Sequence, residues 1–362
     1  MRVLFFLCAI FCFFKTASAK SINTEHAISL GGFYGNTNYS KPKHTLYKNN
    51  NINSTLNAYG KISYNLANDY TVSLDGYFMI DSAKEVENYN QGIWGEEVFT
   101  TLETPIGDFS LGQDYNVAYN FAVGAPNVGS FRINNSDITN FIHNSNWFAK
   151  NGKTSYKTLN STYINTDGAS LKVNYTTPSW RGIKLGATFV PKVDSRSGLV
   201  SNNASYENNQ AYVLAGLGEW YFSGFEVATS LGFAEFDEND KEYSAGVSIY
   251  RKGWTLGASY RKSKAIKKHY TIDETTMFDA YRSGYAYSVG LSYEIGPFTT
   301  GVSYFNSKSD EFNISNEILG FSNSYKFNKN TSLSLTIAQL KANDMKDKTK
   351  GFAGIIGLEF SL

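Results

Sequence analysis

Cysteine is almost absent from the sequence, and its two cysteines lie close together near the start of the chain. Cys8 and Cys12 both fall within the apolar run Val3–Phe14, so the rest of the chain has none. This absence excludes a secreted fold that disulfides hold together. The run is also too short for a membrane-spanning helix, which needs about twenty residues.

The first nineteen residues instead have the pattern of an export signal. Arg2 supplies the positive start, the apolar run follows, and Ala17-Ser18-Ala19 forms a small-residue cleavage site. We therefore expect residues 1–19 to be removed and residues 20–362 to form the mature protein. An uncleaved N-terminal anchor is the alternative. Neither cysteine suits lipid attachment, because Phe11 precedes Cys12 where a small residue would be needed.

An excess of charge of one sign is lacking as well. The chain has 33 Lys and Arg against 32 Asp and Glu, which indicates no general affinity for nucleic acid. Its 4 histidines show no metal-ligand spacing, and no nucleophile-elbow pattern occurs. The sequence thus predicts a protein that is not an enzyme and uses no metal or cofactor. A Ser/His lipase built on a barrel remains an alternative.

What the sequence does contain is a repeated alternation of apolar and polar residues. It is clearest in Thr55–Leu66 and Tyr70–Ile80, which flank the turn Ala67–Asp69. Each segment has about eleven residues, the length that crosses a membrane as a tilted strand. The alternation also reaches the chain end, in 351–362, which predicts that this last strand pairs with the first strand, Ala27–Tyr39, in a closed barrel.

Short turns rich in Gly, Pro, Asn and Asp separate the alternating segments in pairs. Together with the first and last strands they predict an all-β fold, a transmembrane antiparallel β-barrel of about sixteen strands. Aromatic residues recur beside the turns, as in a membrane-interface girdle. A soluble β-sandwich is the alternative. The turns are Ala67–Asp69, Pro105–Asp108, Pro178–Gly182, Phe222–Gly224, Arg251–Gly253, Ile295–Pro297 and Asn328–Asn330.

The connections at the other end of the strands are long, and the third, about 115–168, is the longest. Structureless loops of such length are uncommon unless they have a function. We expect this third loop to fold into the barrel lumen. An additional local element is expected around Tyr156–Ile164.

At this point the chain resembles the general porin family of Gram-negative bacteria. The most specific stretches are Gly95–Glu103 and Gly107–Gln113, which are similar to the hairpin before the family's third loop, and Gly124–Gly129, which resembles its constriction loop in position. The family's C-terminal aromatic is present two residues early, as Phe360, with Leu362 on the same face as an assembly signal.

The resemblance implies a water-filled channel for passive diffusion of ions and small hydrophilic solutes. It also implies a homotrimer in the cell outer membrane, in contact with lipid and lipopolysaccharide and inserted by the barrel-assembly machinery. A substrate-specific channel and a surface adhesin on a barrel scaffold are the alternatives.

In the family, acidic groups on the third loop face basic groups on the opposite wall. Strand phase points six charged residues inward, and two more lie in the third loop itself. Each is a candidate for lining the constriction, and each could instead be a solvated lumen charge. The candidates are Lys61, Asp75, Glu97, Asp114, Lys172, Lys184, Arg132 and Asp137.

Two further charge clusters stand out. Asp237–Asp240 could bind a divalent cation, although a solvated loop is the simpler interpretation. A basic cluster could bind anionic lipopolysaccharide or be an exposed loop. It comprises Arg261, Lys262, Lys264, Lys267 and Lys268.

Overall fold

The alternating segments close into one barrel in a computed structural model of the chain. It describes residues 22–39, 50–67, 69–81, 93–129, 149–151, 154–156, 158–159, 161–168, 170–193, 210–236, 240–264, 267–273, 276–281, 283–310, 313–344 and 348–361. The expected signal peptide, Leu362, Arg132 and Asp137 lie outside these ranges.

Within them the strands are β1 Ile22–Tyr39, β2 Asn50–Ala67, β3 Tyr70–Asp81, β4 Ile93–Thr104, β5 Gly107–Gln113, β6 Ala149–Asn151, β7 Thr154–Tyr156, β8 Leu171–Thr176, β9 Ile183–Val190, β10 Ala211–Phe222, β11 Phe225–Glu235, β12 Lys241–Arg251, β13 Trp254–Lys264, β14 Lys267–Asp273, β15 Thr276–Tyr281, β16 Gly284–Ile295, β17 Phe298–Ser309, β18 Ile314–Asn328, β19 Thr331–Asp344 and β20 Lys348–Ser361. The described residues also include one short helix, α1, at Val117–Asn120.

Sixteen of these strands form the closed barrel, in the order β1–β5, β8–β13 and β16–β20. Neighbouring strands are antiparallel, and β20 pairs with β1 from Ser29↔Ser361 to Tyr39↔Gly351. The predicted strand number and the predicted closure are confirmed. Closure leaves the wall without an unpaired edge.

All seven predicted short turns join the strands at one end of the barrel. Three of them place two residues with positive φ in succession, as a two-residue turn of type I′ requires. In the β12–β13 turn these are Lys252 at 48° and Gly253 at 87°. Such turns match the right-handed twist of the strands that they connect, which fixes the register of each hairpin.

The outer face is apolar over most of its height. Leu214, Leu231, Leu256 and Ile356 are more than half exposed in the isolated chain. Such side chains are suited to contact with lipid. Rings cluster beside the short turns, for example Trp254 and Tyr293 with centroids 4.5 Å apart. The predicted aromatic belt is therefore visible at this rim.

The long connections contain structure that the sequence pattern does not indicate. The third connection contributes β6 and β7, and the connection after β13 contributes β14 and β15. These four strands form a second sheet in the order β14–β15–β7–β6, in which β15 and β7 are parallel. The extra local element expected around Tyr156–Ile164 therefore lies earlier, at 149–156. The described residues of 158–168 have no regular secondary structure and run inside the barrel. Among the described residues, no helix is long and apolar enough to cross a membrane.

Candidate channel constriction

The third loop enters the lumen directly after β5 and follows the inner wall. We call residues 114–129 the first pass. Its contacts fall successively on β8 to β13 and then on β16, β17 and β19. At the start, Asn174 of β8 donates to Asp114 (Nδ2 to Oδ2, 2.8 Å). At the end, Gly129 lies against Ser334 of β19. The first pass therefore runs round much of the barrel circumference.

Glycines on the inner face of the wall make room for the first pass. A Cβ added at Gly186 of β9 would lie 2.8 Å from Cβ of Val117, and one at Gly301 of β17 would lie 2.8 Å from Cγ2 of Val128. At the centre, a Cβ on Gly246 of β12 would collide with the carbonyl oxygen of Val123. We call this set the glycine track, because the absent side chains let the loop backbone approach the wall. Its members are Gly186, Gly232, Gly246, Gly257, Gly290 and Gly301.

Buried hydrogen bonds fix the beginning of the first pass. Asp114 is almost fully buried and also accepts from the backbone N–H of Tyr115 at 2.6 Å. Burial raises the pKa of its carboxyl above the ordinary value, and the hydrogen bonds oppose that rise only in part. Asn116 caps α1, since its Oδ1 accepts from the N–H of Tyr119 at 2.9 Å. Its Nδ2 donates to Asp167 at 2.5 Å, which joins the two lumenal parts of the loop.

The described residues of 158–168 form the second pass, which returns across the lumen towards β8. Asn316 of β18 donates to Oγ1 of Thr158 at 2.8 Å. Thr162 shares a hydrogen bond of 2.7 Å with Ser259 of β13. Apolar contacts support both ends, because Leu159 joins a buried cluster that includes Phe305, and Ile164 joins a second cluster with α1.

Arg261 is the main polar anchor of the second pass. Its guanidinium donates to Glu242 of β12 (Nη2 to Oε2, 2.7 Å) and to Ser161, Asn165 and Thr166 of the loop at 2.7–3.0 Å. Nε also donates to Glu242. These bonds can engage all five N–H groups of the guanidinium. Both charged side chains are at most 1% exposed, so this ion pair is desolvated and tightly coupled.

A second buried ion pair holds the end of the second pass. Nζ of Lys172 on β8 lies 2.6 Å from Oδ2 of Asp167, and both side chains are 0% exposed. The same ammonium donates to the carbonyl of Gly168 at 2.7 Å. The loop is thus attached to the wall at two charged side chains, Arg261 of β13 and Lys172 of β8.

The inner faces of β1–β5 carry mainly polar and charged side chains, with Phe33 and Phe99 as apolar exceptions. Lys61 of β2 lies in register with Glu25 of β1 and Asp75 of β3. Its Nζ is 3.6 Å from Oε1 of Glu103. Asp75 accepts from the hydroxyl of Tyr59 at 2.9 Å. This charged wall, the inner faces of β20 and β1–β5, is the side of the lumen that faces the middle of the first pass.

Comparison with protein-family models gives a match to the Gram-negative porin model over residues 9–345. The chain belongs to the Gram-negative porin family. A search of curated proteins finds no significant match.

Solved porin structures share the fold over nearly the full length. OmpF of Salmonella typhi, solved in complex with daunomycin, aligns with a TM-score of 0.64 at 14% identity, over 96% of this chain and 99% of that one. An anion-selective porin from Comamonas acidovorans gives 0.58 at 12% identity, over 94% and 99%. OmpT of Vibrio cholerae, an outer membrane protein folded in vitro, gives 0.55 at 12% identity, over 96% and 100%. This porin is therefore an outer-membrane channel for passive solute diffusion.

The structure places the candidate residues of this porin in two groups. Lys61, Asp75 and Glu97 lie on the charged wall, and Lys184 lies on the inner face of β9. Asp114 and Lys172 are instead buried beneath the loop, where they hold it in place. They contact no open path in this structure, since the loop covers them.

The anchors Arg261, Glu242 and Asp167 are not among the sequence-based candidates. Arg261 was grouped with a basic cluster, but the alternation of β13 turns it inward while Lys262 and Lys264 face outward. The sequence does contain a signal for the inward direction of Arg261, because this residue lies on the same face of the strand as Gly257 and Ser259. Asp240 is buried beside β12, and the rest of its acidic cluster lies outside the described residues. No group of three or more metal-ligating side chains occurs in the described part of the chain.

Proposed function

We propose that solutes cross this porin between the first pass of the third loop and the charged wall. The observation that supports this path is the glycine track, which holds the loop against β9–β17 and away from β2 and β3. In the strand order, β2 lies across the barrel from β12, and β3 lies across from β13. The narrowest region would then have the uncharged stretch 117–129 of the first pass on one side and Lys61, Asp75 and Glu97 on the other.

The width of this path and its lining charges would select small hydrophilic solutes and ions over larger or apolar ones. Lys184 would contribute from β9, which is separated from the charged wall by β8. Because the family and the fold are those of a channel, we propose transport alone and no enzymatic activity.

The remaining proposals follow from the family. We propose that residues 1–19 are cleaved after Ala19, that the mature chain works as a homotrimer, and that Phe360 and Leu362 direct insertion by the barrel-assembly machinery. Phe360 lies on the outer face in register with Leu30 of β1. We also propose that outward lysines near the long loops, such as Lys262, bind lipopolysaccharide phosphates.

Single-channel recording of the purified mature protein in a planar bilayer tests the proposal. Stepwise conductance increases in groups of three levels are expected for an open trimer. Single steps would retain the channel and reject the trimer. Folded protein that inserts without conducting would overturn the diffusion path, and would indicate that the two passes of the loop close the lumen.

A further inference from the structure

The charged wall has a strong excess of carboxylates. Strand pairing places Glu25, Lys61 and Asp75 side by side on β1, β2 and β3. Glu103 and Asp108 are likewise paired between β4 and β5. Among the described inward side chains of β20 and β1–β5, Lys61 is the only cation, and its partners are acids. The acids are Glu25, Asp75, Glu97, Glu103, Asp108 and Glu359.

The inner-face cations of the opposite wall do not compensate for these acids. Lys172 and Arg261 are each at most 1% exposed, and each has its own carboxylate partner, Asp167 or Glu242. Their charge is therefore cancelled locally, inside the loop–wall contact. Lys184 of β9 is partly exposed, and Lys326 of β18 is exposed and in register with the inward Ser332. The same wall also carries exposed inward acids that outnumber these two cations, namely Glu219, Glu226 and Glu294. The balance of accessible charge on the inner face of the described strands is accordingly negative.

The first pass adds no counter-charge across the path. Residues 117–129, which lie on β9–β19, contain no Asp, Glu, Lys or Arg. Resemblance to general porins implied an acidic loop opposite a basic wall. In the described residues the loop is neutral over this stretch and the opposite wall is acidic.

Ions in a narrow lumen respond to the electric field of these wall carboxylates. The Debye length is about 8 Å at physiological ionic strength, so charges on a wall of a constricted path act on ions throughout its width. Low-dielectric walls strengthen the effect by concentrating the field in the water. Carboxylates on a pore wall raise the local concentration of cations and lower that of anions.

We propose that this porin conducts cations in preference to anions, and that the charged wall sets this preference. The inference rests on the diffusion path proposed above. The ligand class is small hydrated cations in transit, with no bound ion required.

Reversal potentials across a tenfold KCl gradient test the inference with the mature protein. We expect a cation-to-anion permeability ratio above about 3 for the natural sequence. The triple variant Glu25→Gln, Glu103→Gln, Asp108→Asn should lower the ratio at least about twofold, because it removes three wall charges. Lys61→Gln should raise the permeability ratio, since it removes the one cation among the described inward side chains of the charged wall.

A matched control removes carboxylates from the outer face. Glu235 and Glu317 pair with outward Lys241 and Lys341, so Glu235→Gln, Glu317→Gln should leave the ratio unchanged. Heat-dependent mobility on gels confirms that each variant is folded.

The outcomes separate the two proposals. Conductance steps with no selectivity, or with anion selectivity, would overturn the cation preference while leaving the channel intact. A selective channel whose ratio is unaffected by the wall variants would assign the preference to another region and reject the role of the charged wall. Folded protein without any conductance would overturn the diffusion path itself, and the inference with it.

Discussion

At the scale of single residues, the third loop depends on a few charges that are out of contact with water. Breaking a buried ion pair by removing one partner leaves an uncompensated charge and costs about 3–5 kcal/mol. Lys172–Asp167 and Arg261–Glu242 are both of this kind. An exposed pair such as Lys341–Glu317, by contrast, contributes about 1 kcal/mol or less.

We predict that Asp167→Asn releases the second pass while the barrel stays folded. The amide has nearly the same shape but leaves the buried Lys172 ammonium without the carboxylate that it contacts. Hydrogen exchange at the backbone amides of 161–168 should accelerate by at least about 100-fold, in line with a loss of about 3 kcal/mol. Glu317→Gln serves as the control and should leave these amides protected. Unchanged protection in Asp167→Asn would show that apolar contacts alone hold the loop.

At the scale of elements, strands and turns could be predicted well because their signals are local. The apolar–polar alternation of a strand and the residues of its turn lie within about a dozen positions of each other. All seven hairpins can therefore be predicted from the sequence. The path of the third loop could not be predicted in this way, because its contacts join distant positions such as Asn116 and Asp167.

One partial signal did exist for the loop position. In β10, Val213 and Ala215 on the inner face are as apolar as Leu214 on the outer face, and both are buried. A strand that is apolar on both faces is covered on both. Arg261 stands in a run of basic residues, so its inward direction is evident only from the alternation of β13.

We predict that Gly246→Val displaces the first pass from the wall. The new side chain would occupy the position of the Val123 carbonyl group, and an overpacked contact of this kind costs about 1–3 kcal/mol. Loop displacement towards β2 and β3 should change single-channel conductance and increase current noise. Gly60→Val is the matched control, because nothing lies within 4 Å of a Cβ at this outward position of β2. Equal conductance in both variants would contradict the role of the glycine track.

At the scale of the whole molecule, the barrel depends on the pairing of its two terminal strands. Gly32 of β1 is in register with Leu358 of β20, and Leu358 is in register with Leu333 of β19. Sequence predicted this closure from the alternation at the chain end, since an unpaired terminal strand would be an open edge. The second sheet could not be predicted, because it joins segments far apart in sequence.

We predict that Gly32→Cys with Leu358→Cys forms a disulfide in the folded barrel. Adjacent paired positions are within the about 7 Å that a disulfide can bridge between Cα atoms. The natural cysteines both lie in residues 1–19, so no other thiol competes in residues 20–362. Gel mobility after oxidation would report the cross-link. Gly32→Cys with Leu333→Cys should not cross-link, because these positions are about 10 Å apart, two strand spacings. A cross-link in the second variant alone would mean that the closing register is wrong.

The β1–β20 pairing also has a consequence for biogenesis. The partner of the first strand is made last, so a nascent or newly exported chain cannot complete its wall at any intermediate length. Until β20 arrives, every partial sheet has two free edges that could pair with another chain. Contacts between the chain termini also form slowly, because they close the longest possible loop. Escort across the periplasm until the final residues arrive is thus a requirement that the barrel topology places on the cell.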